Sequence, residues 1–212
     1  MKIFKTENQQ TIDAAINALK AGKIISFNCE TVYGLAVDAS NFKAVENLYH
    51  VKNRHQQKPL VIFLPNLEAA EEIFHFDEIS RKIAQDFLPG NLTLVLKTKT
   101  ESQHLFAKNL NQNQSAKSDN FYLGLRIVDN KFVADLLKKF GGIIAVTSAN
   151  KSGKPDAINA DEVSNYFTND EIELIVDSGT SSQKIPSTIA KISDGKVEIL
   201  RVGAIPEKIL RL

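Results

Sequence analysis

Residues 23–35 read Lys-Ile-Ile-Ser-Phe-Asn-Cys-Glu-Thr-Val-Tyr-Gly-Leu, so a short apolar segment runs directly into a polar one. Residues 23–27 have the length and composition of a buried β-strand. The segment before them, residues 8–21, carries apolar residues at helical spacing and ends at Gly22, which predicts an amphipathic helix. A helix, a buried strand and a polar turn in succession indicate an α/β fold, in which ligands bind beyond the strand ends.

The same alternation continues along the chain. The pattern predicts helices over residues 41–51, 67–74, 77–88, 130–140 and 159–167, and strands over residues 60–64, 92–96, 122–128, 143–147 and 172–176. It also predicts a hairpin over residues 187–202 with its turn at Asp194-Gly195, and then a short closing helix. Residues 100–120 are poor in apolar residues and are expected to form a mobile loop. One mixed-sheet α/β domain over residues 1–212 accommodates these elements.

Composition restricts the classes of function. The chain has 26 Lys and Arg against 25 Asp and Glu, whereas a protein that binds nucleic acid by neutralising phosphates shows a basic excess, so any anion site must be local. Its single cysteine, Cys29, excludes an intramolecular disulfide and a cysteine metal cluster. The sequence shows neither a signal peptide nor an apolar run long enough to span a bilayer, so we expect a cytoplasmic protein without membrane contact.

Several standard catalytic signatures are absent from the sequence. It contains no Gly-x-x-x-x-Gly-Lys, Gly-x-Gly-x-x-Gly, His-Glu-x-x-His or Gly-x-Ser-x-Gly motif. The histidines show no metal-ligand spacing; they are His50, His55, His75 and His104. Cys29 has no cationic neighbour in sequence to ionise its thiol, so a nucleophilic role is disfavoured.

Four polar clusters instead stand at predicted element ends. They are residues 30–35, residues 52–54, residues 147–150, and residues 186–188 with residues 201–203. Each has a structural interpretation. Lys52 and Arg54 can offset the negative end of a helix, and Ser148 and Asn150 can form a turn. Glu30 stands where a turn or capping role is as compatible with the sequence as a catalytic one.

An arginine stands inside a predicted strand, at Arg126 in Gly124-Leu125-Arg126-Ile127. Because a buried guanidinium needs compensation, this side chain must face either solvent or an anionic partner.

Taken in order, these clusters resemble the threonylcarbamoyl-AMP synthase family, the YrdC-like proteins. The resemblance rests on seven motifs, namely Asn28-Cys29-Glu30-Thr31-Val32-Tyr33-Gly34-Leu35, Lys52-Asn53-Arg54, Pro89-Gly90-Asn91-Leu92-Thr93, Gly124-Leu125-Arg126, Ser148-Ala149-Asn150-Lys151-Ser152-Gly153, Ser187-Thr188-Ile189 and Arg201-Val202-Gly203. They cover nearly the whole chain in the family's order.

The resemblance implies a twisted, open, mixed sheet flanked by helices, with a concave and locally positive pocket. It implies the reaction of L-threonine, bicarbonate and ATP to give threonylcarbamoyl-AMP and pyrophosphate. That product supplies the threonylcarbamoyl group of adenosine 37 in tRNA through a separate transferase, and tRNA itself is a candidate partner. Because the chain ends soon after Arg201-Val202-Gly203, it resembles the short form of the family.

The resemblance also implies roles for individual residues. Lys52 and Arg54 would be the catalytic cations. The residues that would bind ATP are Lys52, Arg54, Ser148, Asn150 and Arg201. The residues that would bind threonine are Cys29, Thr31, Arg126 and Ser187, with Arg126 on the carboxylate. Mg²⁺ would arrive with ATP, and no dedicated protein metal site is expected.

Two positions depart from the family pattern. Asn28-Cys29 replaces Pro-Thr, and His55 replaces the proline that follows Lys-x-Arg. Two alternatives to the synthase therefore stay open at this point. One is a non-catalytic RNA-binding module of the same fold. The other is a relative with altered amino-acid specificity.

Overall fold

The computed structural model describes residues 1–5, 8–55, 58–106, 110 and 121–210. Its helices are α1 (Gln9–Lys20), α2 (Phe42–Val51), α3 (Leu67–Ile73), α4 (Glu78–Phe87), α5 (Lys131–Phe140), α6 (Ala160–Tyr166) and α7 (Glu207–Leu210), with a 3₁₀ helix at Thr100–Leu105. Its strands are β1 (Lys2–Phe4), β2 (Ile25–Asn28), β3 (Tyr33–Asp38), β4 (Val61–Phe63), β5 (Leu92–Lys97), β6 (Tyr122–Arg126), β7 (Ile144–Ser148), β8 (Leu174–Val176), β9 (Thr188–Ser193) and β10 (Lys196–Arg201). No helix within the described ranges is long and apolar enough to cross a bilayer.

All ten of these strands join one sheet in the order β1-β8-β2-β3-β7-β4-β6-β5-β9-β10. The pairs β1–β8, β8–β2, β4–β6 and β5–β9 are parallel, and the other neighbouring pairs are antiparallel. The prediction of an α/β fold with a mixed open sheet flanked by helices is therefore confirmed.

Asparagine begins five of the described helices. In each case its side-chain oxygen accepts a hydrogen bond from the backbone N–H three residues further on, which satisfies a group that the helix itself leaves without a partner. These caps are Asn8, Asn41, Asn66, Asn130 and Asn159. Because this chemistry is local, the predicted helix starts lie within a residue or two of the observed ones.

Two strands were not predicted. Residues 28–34 were expected to form a turn, but Tyr33 and Gly34 already belong to β3 and pair with Asn28 and Phe27 of β2. β3 lies near the centre of the sheet and is buried along almost its entire length, so its sequence lacks the alternation that marks a half-exposed strand. β1 has only three residues, at one edge of the sheet.

The loop expected over residues 100–120 is only partly described. Residues 100–105 form the 3₁₀ helix, and buried Leu110 belongs to the hydrophobic core. Residues 107–109 and 111–120 lie outside the described part of the chain.

The two faces of the sheet differ. One face is covered by α2, α3, α4 and α6 and carries the larger core cluster. On the other face a second cluster joins α1 and α5 to β2, β3, β4, β7 and β8. The Phe27 ring lies between those of Phe63 and Phe132, with centroid distances of 6.4 and 6.1 Å. No residue of β5, β6, β9 or β10 belongs to this second cluster. On this second face we call the part under α1 and α5 the covered half, and the part formed by β6, β5, β9 and β10 the open half.

Candidate functional site

A cleft lies where the covered half meets the open half. Its lining comes from the ends of several strands and the loops that follow them. The polar residues that line it are Cys29, Thr31, Tyr33, Arg54, Thr93, Arg126, Thr147, Ser148, Ser187 and Arg201. The apolar lining includes Val61, Phe63, Val146 and Ile189. Strand ends converge here because the chain reverses direction repeatedly across the middle of the sheet.

Arg126 lies at the end of β6 and is only 4% exposed. Its Nη1 donates to Thr31 Oγ1 at 2.9 Å, its Nη2 to Cys29 O at 3.2 Å, and its Nε to Gly90 O at 3.1 Å. Burial lowers the pKa of this guanidinium, although it remains charged at neutral pH. Neutral oxygens thus hold the fork in place without cancelling its charge.

Arg201 occupies the facing wall at the end of β10. Its Nε and Nη2 donate to Ser187 O at 3.1 and 2.8 Å, and Nη2 also reaches Ser187 Oγ at 3.3 Å. The pairing register of β10 shifts between Ile199 and Arg201, which sets Arg201 opposite Ile189 on the cleft side of the sheet. This bulge therefore places the Arg201 side chain in the cleft.

Thr93 is a site residue that the sequence analysis did not assign. Its Oγ1 lies 2.8 Å from Ser187 Oγ, and the two buried hydroxyls share a hydrogen bond. Thr93 closes the Pro-Gly-x-x-Thr motif, so the motif was the signal that could have identified it. Tyr33 was also missed; its hydroxyl donates to Gly179 O at 2.8 Å and ties the start of β3 to the segment before Ser187.

Arg54 follows α2 and lines the cleft near Ser148. Its Nε donates to Lys58 O and its Nη2 to Pro59 O, both at 3.1 Å. Burial lowers the pKa of Arg54, and repulsion from Arg201 acts in the same direction, so the two cations are electrostatic neighbours. None of the ion pairs within the described ranges includes Arg54, Arg126 or Arg201.

Lys52 lies behind the cleft wall. It is 1% exposed, and its Nζ donates to Asn150 Oδ1 at 2.6 Å, to Asn150 O at 2.9 Å and to Ser148 O. Burial lowers its pKa to about 7, with Arg54 acting in the same direction. Ser148 Oγ donates to Asn150 Oδ1 at 3.0 Å, so the serine, the asparagine and the lysine form one connected group.

Cys29 is buried against the floor of the cleft. Burial raises the pKa of its thiol to about 12, because the nearby Arg126 offsets only part of the desolvation. The thiol therefore stays protonated at neutral pH and is a poor nucleophile. A Cβ on Gly34 would lie 2.9 Å from Cys29 Sγ and 3.0 Å from Val146 Cγ1, so only glycine leaves room for this packing.

The structure brings the predicted site residues together. Seven of the nine line the cleft, namely Cys29, Thr31, Arg54, Arg126, Ser148, Ser187 and Arg201. The remaining two, Lys52 and Asn150, contact the Ser148 segment from behind. Their assigned roles stay predictions.

The arrangement can bind two anionic groups at once. Arg54 and Arg201 present positive charge beside the hydroxyl of Ser148, and Arg126 presents it at the cleft floor. Within the described ranges, no three Asp, Glu, His or Cys side chains form a group that could hold a metal ion. The side chains of the cleft offer positive charge and hydrogen bonds, and the protonated thiol of Cys29 is not an activated nucleophile.

Comparisons with known proteins agree with this site. The Sua5_yciO_yrdC family model, described as "Telomere recombination", matches residues 17–203. A Methanocaldococcus jannaschii protein, provisionally named a threonylcarbamoyl-AMP synthase, is 31% identical over 97% of this chain and 91% of its own. The threonylcarbamoyl-AMP synthase of Bos taurus is 31% identical over 92% of this chain and 68% of its own.

Solved structures share the fold. P. abyssi Sua5 complexed with L-threonine superposes with a TM-score of 0.86 at 27% identity, over 99% of this chain and 59% of the Sua5 chain. E. coli YciO has a TM-score of 0.80 at 19% identity, over 95% and 93% of the two chains, which shows the likeness of fold alone. The resemblance inferred from seven motifs is confirmed, and the chain belongs to the Sua5/YciO/YrdC family.

Proposed function

We propose that the protein is an L-threonylcarbamoyladenylate synthase, which makes threonylcarbamoyl-AMP and pyrophosphate from L-threonine, bicarbonate and ATP. The observation that carries this proposal is a single cleft with Arg126 at its floor and Arg54 and Arg201 on its walls, in which no described carboxylate pairs with any of the three. Such a cleft suits a substrate carboxylate together with phosphates. Relatives bear the name of this synthase, and the Sua5 structure holds L-threonine.

The chemistry requires positioning more than covalent participation by the protein. The neutral amine of threonine adds to bicarbonate, which loses water to leave a carbamate. A carbamate oxygen then attacks the α-phosphorus of ATP, and the bond to the bridging oxygen breaks as pyrophosphate leaves with the electron pair. This is a nucleotidyl transfer. Fixed cations beside the departing pyrophosphate lower its barrier because they are already oriented before charge develops.

In this proposal Arg126 holds the threonine carboxylate, with Cys29, Thr31 and Ser187 lining the rest of the amino-acid pocket. The buried hydroxyls of Thr93 and Ser187 lie beside it and offer further hydrogen bonds. Thr31 and two backbone carbonyls hold the Arg126 fork, and its Nη2 also donates to Asn91 Oδ1 at 3.4 Å. To donate two parallel hydrogen bonds to a carboxylate, the fork would exchange at least one of these partners.

The phosphates would lie against Arg54, Arg201 and Ser148, with Lys52 and Asn150 supporting them from behind. Lys52 would need to change partner to contact a phosphate directly, because three protein oxygens now surround its Nζ. Mg²⁺ would enter as part of the substrate Mg·ATP, with the phosphates and water as its main ligands.

The product is a mixed anhydride that must pass to an acceptor before water hydrolyses it. We therefore propose transient association with a transferase that modifies tRNA, with tRNA as a candidate partner, and a cytoplasmic location. We also propose that residues 1–212 act as one domain, because the strands join a single sheet.

The test is pyrophosphate release from ATP, with threonine and bicarbonate each omitted in turn. The proposal expects release only when all three substrates are present, and a higher kcat/KM for threonine than for serine or valine. RNA binding without pyrophosphate would favour the non-catalytic module. Equal turnover of the three amino acids would favour the relative with altered specificity.

Arg54→Ala should lower kcat/KM by about 10²- to 10³-fold, because one preorganised cation is lost beside the leaving group. Its melting temperature should stay within about 2 °C of the parent, since in the described part of the chain the side chain hydrogen-bonds two loop carbonyls. Arg81→Ala is the matched control, because Arg81 forms an exposed ion pair with Glu71 on other helices. Near-normal turnover by Arg54→Ala would remove the assigned role.

A further inference from the structure

A second lysine, Lys151, joins three separate parts of the chain behind the cleft. Its Nζ donates to the backbone oxygen of Val51 at 2.8 Å and to Glu171 Oε1 at 2.5 Å. It also lies 4.7 Å from the centroid of the Phe167 ring. Val51 ends α2, whereas Glu171 and Phe167 belong to the segment between α6 and β8.

The backbone beside Lys151 also links the end of β7 to the end of α2. Ser152 N donates to Lys52 O at 2.8 Å, and Lys52 Nζ returns to the carbonyls of Ser148 and Asn150. The end of α2 and the end of β7 are thus bound by reciprocal hydrogen bonds. Glu171 is itself fixed, because its Oε2 accepts from Thr168 N at 2.9 Å.

We propose that Lys151, paired with Glu171, is a positioning residue for the phosphate side of the cleft: it fastens the end of α2, which precedes Arg54, to the end of β7, which carries Ser148. This rests on the proposed function in so far as the bound phosphates are those of ATP. Lys151 does not line the cleft and acts only through these neighbours.

The geometry gives the physical reason. The C-terminal carbonyls of α2 carry partial negative charge, so a lysine on Val51 O stabilises that helix end while its other contacts anchor it. Arg54 lies three residues beyond Val51, and its own bonds to Lys58 and Pro59 stay within its loop. Without Lys151, the loop that carries Arg54 would lose one of the hydrogen bonds that connect the end of α2 to the segment after β7. A displacement of about 1 Å in such a group can reduce turnover a hundredfold.

Lys151 also affects the charge on Lys52. The charged groups that face Lys52 are Arg54 from its own loop, and Lys151 and Asp156 from the segment after β7. Burial lowers the pKa of Lys52 most and Arg54 next, Asp156 acts to raise it, and Lys151 makes the smallest contribution, which lowers it. Removing Lys151 should therefore raise the Lys52 pKa, an effect that a purely mechanical support elsewhere would not produce.

The experiment compares wild type with Lys151→Met, Lys151→Arg and Lys131→Met. Lys131 is the matched control, because its ion pair with Asp135 is on α5 and 86% of its side chain is exposed. For Lys151→Met we expect KM for ATP to rise roughly tenfold while KM for threonine changes less than about twofold. Lys151→Arg should recover most of the loss, and Lys131→Met should match wild type.

Two measurements do not depend on turnover. Calorimetric titration with ATP alone should show the same loss of affinity in Lys151→Met. NMR of ¹³C-labelled lysine should show the Lys52 Cε titration moving to higher pH.

Equal rises in both KM values, or an unchanged affinity for ATP in Lys151→Met, would overturn the inference. Wild-type protein that binds ATP but releases no pyrophosphate would instead refute the proposed function, and the titrations would still decide the role of Lys151.

Discussion

The covered and open halves of one sheet face have different roles, although side chains alternate between the two faces of the sheet in the same way in both. Under α1 and α5 the face carries Phe27, Phe63 and other apolar residues in contact with one another. From β6 to β10 the corresponding positions carry Arg126, Thr93 and Arg201, which point into the cleft. On this face, stability is concentrated where helices cover the sheet, and binding where the strand ends remain accessible.

Burial has opposite consequences in the two halves. An aromatic ring gains free energy when it leaves water, whereas a guanidinium loses hydration. Arg126 is nearly as buried as the core phenylalanines, yet its partners are all neutral oxygens. A bound carboxylate would supply the missing compensation, so substrate and stability are expected to be coupled in the open half alone.

The largest effect is expected in the covered half. Phe27→Ala should cost about 3–5 kcal/mol of unfolding free energy, because Phe27 is fully buried between Phe63 and Phe132. Urea unfolding measures it, with exposed Phe42→Ala as the control at under about 1 kcal/mol. Below its melting transition the variant should keep the wild-type KM for threonine. A large change in that KM would show that the two halves are not separable.

A smaller effect is expected at Lys52, on the border between the halves. The pKa of Lys52 is about 7 in the folded protein, whereas its ordinary value, expected in the unfolded chain, is 10.5. Between pH 7 and 10.5 the unfolded chain therefore binds one more proton than the folded protein. Stability should therefore rise with pH across this window, by up to about 1.4 kcal/mol per pH unit. Comparing wild type with Lys52→Met between pH 7 and 8.5 isolates the effect, since the buried cysteine and tyrosines ordinarily titrate above that range.

Lys52→Met should show a flatter dependence of unfolding free energy on pH than wild type. If both proteins gave the same slope, the buried lysine would not be the source of the dependence. Below pH 7 the two slopes should converge, because Lys52 is then protonated in both the folded and the unfolded chain.

The smallest effect is expected at Cys29. Its Sγ lies 3.9 Å from Phe27 O, and the raised pKa keeps the thiol protonated. Cys29→Ser keeps the size and the donor, so kcat/KM for threonine should change less than about tenfold. Ser187→Ala, which removes a hydroxyl bound to Thr93 and Arg201, should raise KM for threonine more. A loss of about a hundredfold or more in Cys29→Ser would instead assign the thiol a direct role.

Features that depend on neighbouring residues could be predicted from the sequence. Asparagine caps set the helix starts, and Asp194-Gly195 marks the β9–β10 turn, with both residues at positive φ. β3 was not predicted, because a strand buried on both faces does not alternate between apolar and polar residues. The motifs indicated which residues converge, but no local pattern shows that Lys52 turns its Nζ into the protein, since its acceptors come from Ser148 and Asn150, about a hundred residues away.

The irregular pairing near the end of β10 has a further consequence. A strictly alternating strand would put Arg201 on the same side as Val197 and Ile199, which pack against the larger core. One additional residue in the strand, Leu200, reverses that orientation. The bulge therefore determines the chemistry of the wall opposite Arg126: if Leu200 paired with Ile189 in regular register, every arginine would remain in the protein but Arg201 would turn towards the core and away from the cleft.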